Sequence, residues 1–156
     1  MTALSRLFAY NAWADARIFE VAGELDPAQL SLPVEGIYGS ILDTTTHLLT
    51  VEENFLLLAM GQQPRYPDSP SFAQIAPRLM AVDTGLLGFV DKVTPTALGE
   101  QVHVPWMQRS FTVEDCLLQA AIHSTEHRSD LAGALTRLGR TIPPFDYIFW
   151  VVEQGS

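Results

Sequence analysis

The chain has 156 residues, of which 47% are hydrophobic and 17% charged, so it can fill one domain core and is too apolar to be disordered in bulk. Eighteen acidic side chains against nine basic ones give a formal charge of −9. A field of that sign repels phosphate backbones and anionic lipid surfaces, which argues against nucleic acid and membranes as partners.

The single Cys116 excludes an internal disulfide and a zinc site built from several thiolates. Residues 1–13 lack the basic start and unbroken apolar stretch of a secretory signal. The longest fully apolar run, residues 55–60, falls far short of the ~20 residues of a membrane-spanning helix. A cytoplasmic protein is the expectation.

The first helix is expected over residues 2–22, where Leu4, Leu7, Phe8, Asn11, Ala14 and Ile18 recur at helical spacing before Gly23 and Pro27. A second should span 40–60, opened by a Ser40–Asp43 capping box and stopped by Gly61. A loop rich in proline and serine follows over 62–71. A third helix is expected over 71–92, with Pro77, Gly85 and Gly88 each weakening its interior.

Residues Gln101–Val104 alternate in the strand manner until Pro105 and Trp106, which predicts a short hairpin or ordered loop. Thr112 and Asp115 have capping-box spacing and open a helix reaching about Leu138, before Gly139. Pro143 and Pro144 then introduce a short apolar helix over 145–152. The fold class is therefore all-α, a four-helix bundle with a short hairpin or loop before the fourth helix and a short C-terminal helix, in one domain over 1–156. The long link between the second and third helices leaves the bundle order open.

The histidines carry the chemistry. His123 and His127 lie four residues apart on the predicted fourth helix, about 40° apart in direction and ~6 Å apart along the axis, so both rings can reach one ion. His127 falls on that helix's apolar stripe and His123 beside it. His47 lies within the stripe of the second helix. Buried imidazoles must be bonded, either to ordinary core partners or to a divalent cation that satisfies three together. Pattern alone weighs these readings equally.

The run H-S-T-E-H-R-S-D-L from His123 to Leu131, continued through Leu138, Gly139, Pro143, Pro144 and Asp146, resembles the helix-four signature of the DinB/YfiT-like metalloenzyme superfamily. So do Y-N-A-W-A-D from Tyr10 to Asp15, and G-S-I-L-D-T-T-T-H-L-L from Gly39 to Leu49. The resemblance implies a four-helix bundle holding one divalent ion, zinc or nickel before iron or manganese, on His47, His123 and His127. It also implies a homodimer, acting on a small-molecule substrate or with a thiol cofactor. Three neutral imidazoles leave a position where water or a thiol is acidified towards a pKa of ~7, so hydrolysis and thiol transfer are both open chemistries. A non-catalytic metal- or ligand-binding bundle is the alternative. Such binding weakens as imidazoles protonate below roughly pH 6.

Asp130, seven residues from His123, and Glu126, at the border of that face, are candidates for orienting an imidazole or relaying a proton, against a bland reading as solvated charges. Asp43, one turn before His47, is better explained by capping. His123, Glu126 and His127 also spell the H-x-x-E-H zinc-protease pattern, but only Glu153 remains downstream as a further glutamate ligand. Cys116 stands ~10 Å from His123 along the helix and reads as a core residue. His103 reads as a rim residue able to reach over the site. Trp13, Trp106 and Phe111 read as core or interface aromatics, with Trp106 able to line a mouth.

Overall fold

The computed structural model describes residues 1–66 and 69–155; Pro67 and Asp68, in the loop expected over 62–71, and Ser156 lie outside the described residues. Helix α1 (Ala3–Ala22) starts at Thr2, whose hydroxyl accepts the Ser5 amide at 3.0 Å. Its buried stripe, Phe8, Asn11, Asp15, Ile18 and Ala22, has the spacing of one helix face. A short turn, α2 (Pro27–Ser31), follows an Asp26–Gln29 capping box.

Helix α3 (Ile41–Ala59) opens on the expected box: the Asp43 amide donates to Ser40 Oγ at 3.1 Å, and the Ser40 amide donates to Asp43 Oδ2 at 3.0 Å. Both donors would otherwise be orphaned at the helix start. Ser40→Ala should therefore cost about 1 kcal/mol, read as a lowered urea midpoint at unchanged slope. An unshifted midpoint would remove the cap from the account of this helix.

Helix α4 (Phe72–Val90) is continuous through Pro77, Gly85 and Gly88. Its buried face, Ile75, Leu79, Val82, Leu86 and Val90, supplies the packing that offsets those weak formers. Gly85 also has a use, since a Cβ there would stand 2.7 Å from Leu56 Cδ2 where α4 packs on α3.

After a short α5 (Pro95–Leu98), strands β1 (Gln101–Val104) and β2 (Arg109–Thr112) form an antiparallel hairpin, Gln101 opposite Thr112 and Val104 opposite Arg109. A single 3₁₀ turn, Pro105–Met107, closes it. Helix α6 (Val113–Arg137) begins on the Thr112–Asp115 capping box, and α7 (Tyr147–Gln154) closes the chain by burying Trp150 against Tyr10 and Ala14. Both α3 and α6 stop before a glycine in the left-handed region, Gly61 at φ 70° and Gly139 at φ 79°. There the Gln62 amide returns to the Leu57 carbonyl at 2.8 Å and the Arg140 amide to that of Leu135 at 3.0 Å.

Helix α1 packs on α4 and α6, and α3 packs on the same two, so α1 and α3 occupy opposite corners of an all-α four-helix bundle. The segment containing α2 makes this crossing, which resolves the order that chain reading left open. Among the described residues, no helix is long and apolar enough to cross a membrane.

Candidate metal centre

Adjacent helices α3 and α6 bring three imidazoles together. His123 Nε2 lies 3.0 Å from His47 Nε2 and 3.1 Å from His127 Nε2, with ring centroids 4.3 to 5.0 Å apart. An imidazole Nε2 has one in-plane position, either an N–H or a lone pair, so His123 Nε2 cannot form aligned hydrogen bonds with both neighbours at once. A cation that accepts all three lone pairs removes the conflict. Nitrogens on a tetrahedral zinc shell, at Zn–N of ~2.05 Å, stand about 3.3 Å apart, close to the spacing seen. The donor set fits one divalent ion.

Half-buried rings favour the neutral form that ligates. Burial, followed by the His127 and His47 rings, pushes His123 down to about 4; burial and then His127 also lower His47. The exposed Tyr38 ring stacks on His47 at 4.9 Å, and its carbonyl accepts the Thr44 hydroxyl at 2.9 Å. Nothing in the spacing of the chain pointed to Tyr38.

Asp130 stands at the triad, beside His127 rather than on the His123 side: its Oδ2 lies 3.5 Å from His127 Nδ1. That is ion-pair reach without hydrogen-bond alignment, and Nδ1 of both His123 and His127 is buried without a hydrogen bond. Glu126 is exposed, and among the described residues no hydrogen bond or ion pair ties it to the triad. His103 is exposed on β1 opposite Ser110 and is not brought to the site. Glu153 accepts from Trp13 Nε1 at 2.9 Å and from Arg17, which leaves the zinc-protease pattern without its distal acid.

A cavity of about 640 Å³ opens against His47 and His123, walled by Val51, Phe55, Trp106, Phe111 and Ile122. Trp106 meets Phe55 edge-to-face at 5.6 Å. Cys116 lies in the same wall, buried, with its thiol pushed up to about 11 by that burial and by Asp115.

Behind the histidines lies a buried polar network that chain reading missed. Arg128, 0% exposed, donates through Nη1 to Asn11 Oδ1 at 2.6 Å and to Asp15 Oδ1 at 2.9 Å. Asn11 Nδ2 donates to Asp15 Oδ2 and to Glu52 Oε1, both at 3.0 Å, and the Ser124 hydroxyl donates to the same Glu52 oxygen. Asp83 of α4 lies against Glu52, and Asp15, Glu52 and Asp83 offer oxygens within 4.8 Å of one another. Arg128 already supplies the positive charge here.

Burial, followed by Asp15, raises Glu52 to about 8; burial, followed by Glu52 and Asp15, raises Asp83 to about 10. Glu52 Oε2 and Asp83 Oδ1 have no donor, so a proton held on this pair is what satisfies them. The available signal was Asn11, an amide within the apolar stripe of α1.

Fold and site together define a helical-bundle protein with a three-histidine donor set for one divalent ion. The DinB family profile matches residues 1–154, and the chain belongs to the DinB family. The DinB-like protein YjoA of Bacillus subtilis superposes with a TM-score of 0.71 at 15% identity, over 90% of this chain and 96% of its own. YfiT from the same organism, described as a probable metal-dependent hydrolase with an unusual four-helix bundle topology, gives 0.71 at 14% identity, over 90% and 91%. A DinB-like protein of Bacillus cereus gives 0.70 at 17%, over 87% and 91%. At these identities the likeness concerns the fold. A comparison with curated proteins gives no match.

Proposed function

We propose that the chain is a metal-dependent hydrolase of small molecules, with His47, His123 and His127 holding one divalent ion, zinc or nickel first. The observation that carries this is the convergence of three Nε2 atoms that cannot satisfy one another, at the end of a cavity wide enough for a substrate. A donor set of three histidines beside an open cavity suits catalysis better than a closed structural shell. Family membership and the description of YfiT point the same way.

A divalent ion on the triad supplies Lewis acidity and a more acidic water or thiol. The protein's own part is to keep the His47 and His123 rings neutral and all three rings aimed. The Asp130 carboxylate, 3.5 Å from His127 Nδ1, favours by its charge the tautomer with a proton on Nδ1, which leaves Nε2 free to ligate. Tyr38 limits rotation of His47 by stacking. The apolar wall excludes water from a bound substrate. Glu126 rests on helical position alone as a proton relay. Thiol-dependent transfer would use the same centre and differs in requiring an added thiol. A homodimer in the cytoplasm completes the proposal, supported by Ile148 and Phe149, apolar and exposed on α7.

Purified protein should carry about one ion per chain by elemental analysis, and His123→Ala should retain less than about a tenth of it. Chelator should abolish turnover of simple esters or amides, and turnover only with added thiol would select the transferase reading. Equal, sub-stoichiometric metal in both proteins overturns the site and the chemistry with it. Full metal with no turnover of either kind selects the non-catalytic bundle.

A further inference from the structure

We infer that the groove beside the histidine triad takes a small molecule with an apolar body that carries no negative charge and a single metal-ligating group at one end; the head group rests on the metal proposal, the body does not. On α3, His47, Val51 and Phe55 follow at four-residue intervals along the cavity wall, so the wall leaves the triad over about 12 Å of helix. Trp106 of the hairpin turn closes over Phe55, and Ile122 forms the α6 side. A volume of about 640 Å³ suits a small molecule rather than a peptide or a polymer.

The polar groups of the wall decide the ligand's charge. Among the described residues, no lysine or arginine lines the cavity. The Asp115 carboxylate is engaged by the Thr112 amide and hydroxyl in the helix cap, and burial keeps the Cys116 thiol neutral. Gln119 is left as a neutral hydrogen-bonding side chain. A carboxylate or phosphate on the ligand's body would thus lose water without gaining a counter-charge, inside a chain of net charge −9. A polyhydroxylated body would lose more hydrogen bonds than one amide returns. An aliphatic or aromatic body loses nothing and covers the apolar rim of Trp106 and Ile122, exposed at 43% and 53%.

The test is calorimetric titration of n-alkyl hydroxamates of increasing length, and of one ending in a carboxylate, into metal-free and cobalt-loaded protein. Each added methylene should tighten binding about three- to fourfold in both forms until the groove is filled. The terminal carboxylate should weaken binding about tenfold or more. Ile122→Lys, at a half-exposed helix position, should turn that penalty into a preference. Affinity indifferent to chain length, or a carboxylate tail bound as well as a methyl one, overturns the proposal even where the cobalt spectrum shows a loaded triad. A chain-length gain with no cobalt spectrum upholds the apolar body and overturns the metal proposal together with the head group.

Discussion

Arg128→Met should lower the free energy of unfolding by ~3–5 kcal/mol, and the double substitution Asp15→Asn with Arg128→Met should recover most of that loss. Arg128 is fully buried and lies 2.9 Å from Asp15, which is itself buried. Removing the guanidinium strands an uncompensated carboxylate in the core and leaves the Asn11 carbonyl without its donor. Against a total stability of ~5–15 kcal/mol, the single variant sits near the threshold of folding. The double variant therefore carries the argument: it removes the charge together with its counter-charge, and methionine can fill the space of the aliphatic stem. Urea unfolding of both variants beside the parent checks this. An Arg128→Met protein as stable as the parent would mean that the buried pair is not what holds α1 to α6.

The stability of the metal-free protein should fall as pH rises above 7, and Glu52→Gln should remove close to one proton's worth of that slope near pH 7 and little of it by pH 9. Folded Glu52 keeps its proton up to about 8 and Asp83 up to about 10, whereas both release it near their ordinary values, 4.5 and 3.8, when unfolded. Across neutral pH the folded state thus binds more protons than the unfolded one. Each retained proton lowers unfolding free energy by about 1.4 kcal/mol per pH unit. The stabilisation is complete at acid pH and is lost as pH climbs through the folded values. His123 works in the opposite sense, since its folded value of about 4 lies below the ordinary 6.5 and it costs stability as pH falls between them. Above pH 7 that contribution is flat, so between pH 7 and 8, before the unfolded Cys116 thiol ionises near its ordinary 9.0, the slope belongs mainly to the carboxyl pair.

In Glu52→Gln the amide oxygen can still accept from Asn11 and Ser124, while its NH₂ can donate to Asp83 and stand in for the missing proton. Of the charged groups packed around the pair, Asp15 disfavours its ionisation and Arg128 favours it. The measurement is urea unfolding in chelator at a series of pH values. Parallel slopes for parent and variant would show that Glu52 ionises normally.

How much of this could be read along the chain depended on whether the controlling interaction was local. The Ser40–Asp43 and Thr112–Asp115 caps and the stops at Gly61 and Gly139 are set within one turn, so the ends of α3 and α6 lie where chain reading put them. Helix α4 survives its proline and two glycines because of packing on α3, a tertiary effect that propensity omits. His47, His123 and His127 were placed on inward stripes by periodicity, and the family resemblance made them a set. Asp130 came out beside His127 because the two are three residues apart on the helix, nearer neighbours than Asp130 and His123, seven apart. The network was out of reach for a different reason. Asn11 and Asp15, Glu52, Asp83, and Ser124 with Arg128 come from four helices, and with the bundle order open no residue could be assigned its partner.

Along α6 the two systems alternate: His123 is followed by Ser124 and His127 by Arg128, so each histidine of the triad on this helix is the chain neighbour of a residue anchored in the core. The backbone that aims an imidazole at the triad is the same peptide that is tethered to the core. Random mutagenesis scored for lost metal uptake would accordingly return two populations, one striking the rings and one striking Asn11, Asp15 or Glu52 from behind. Only the second would melt early.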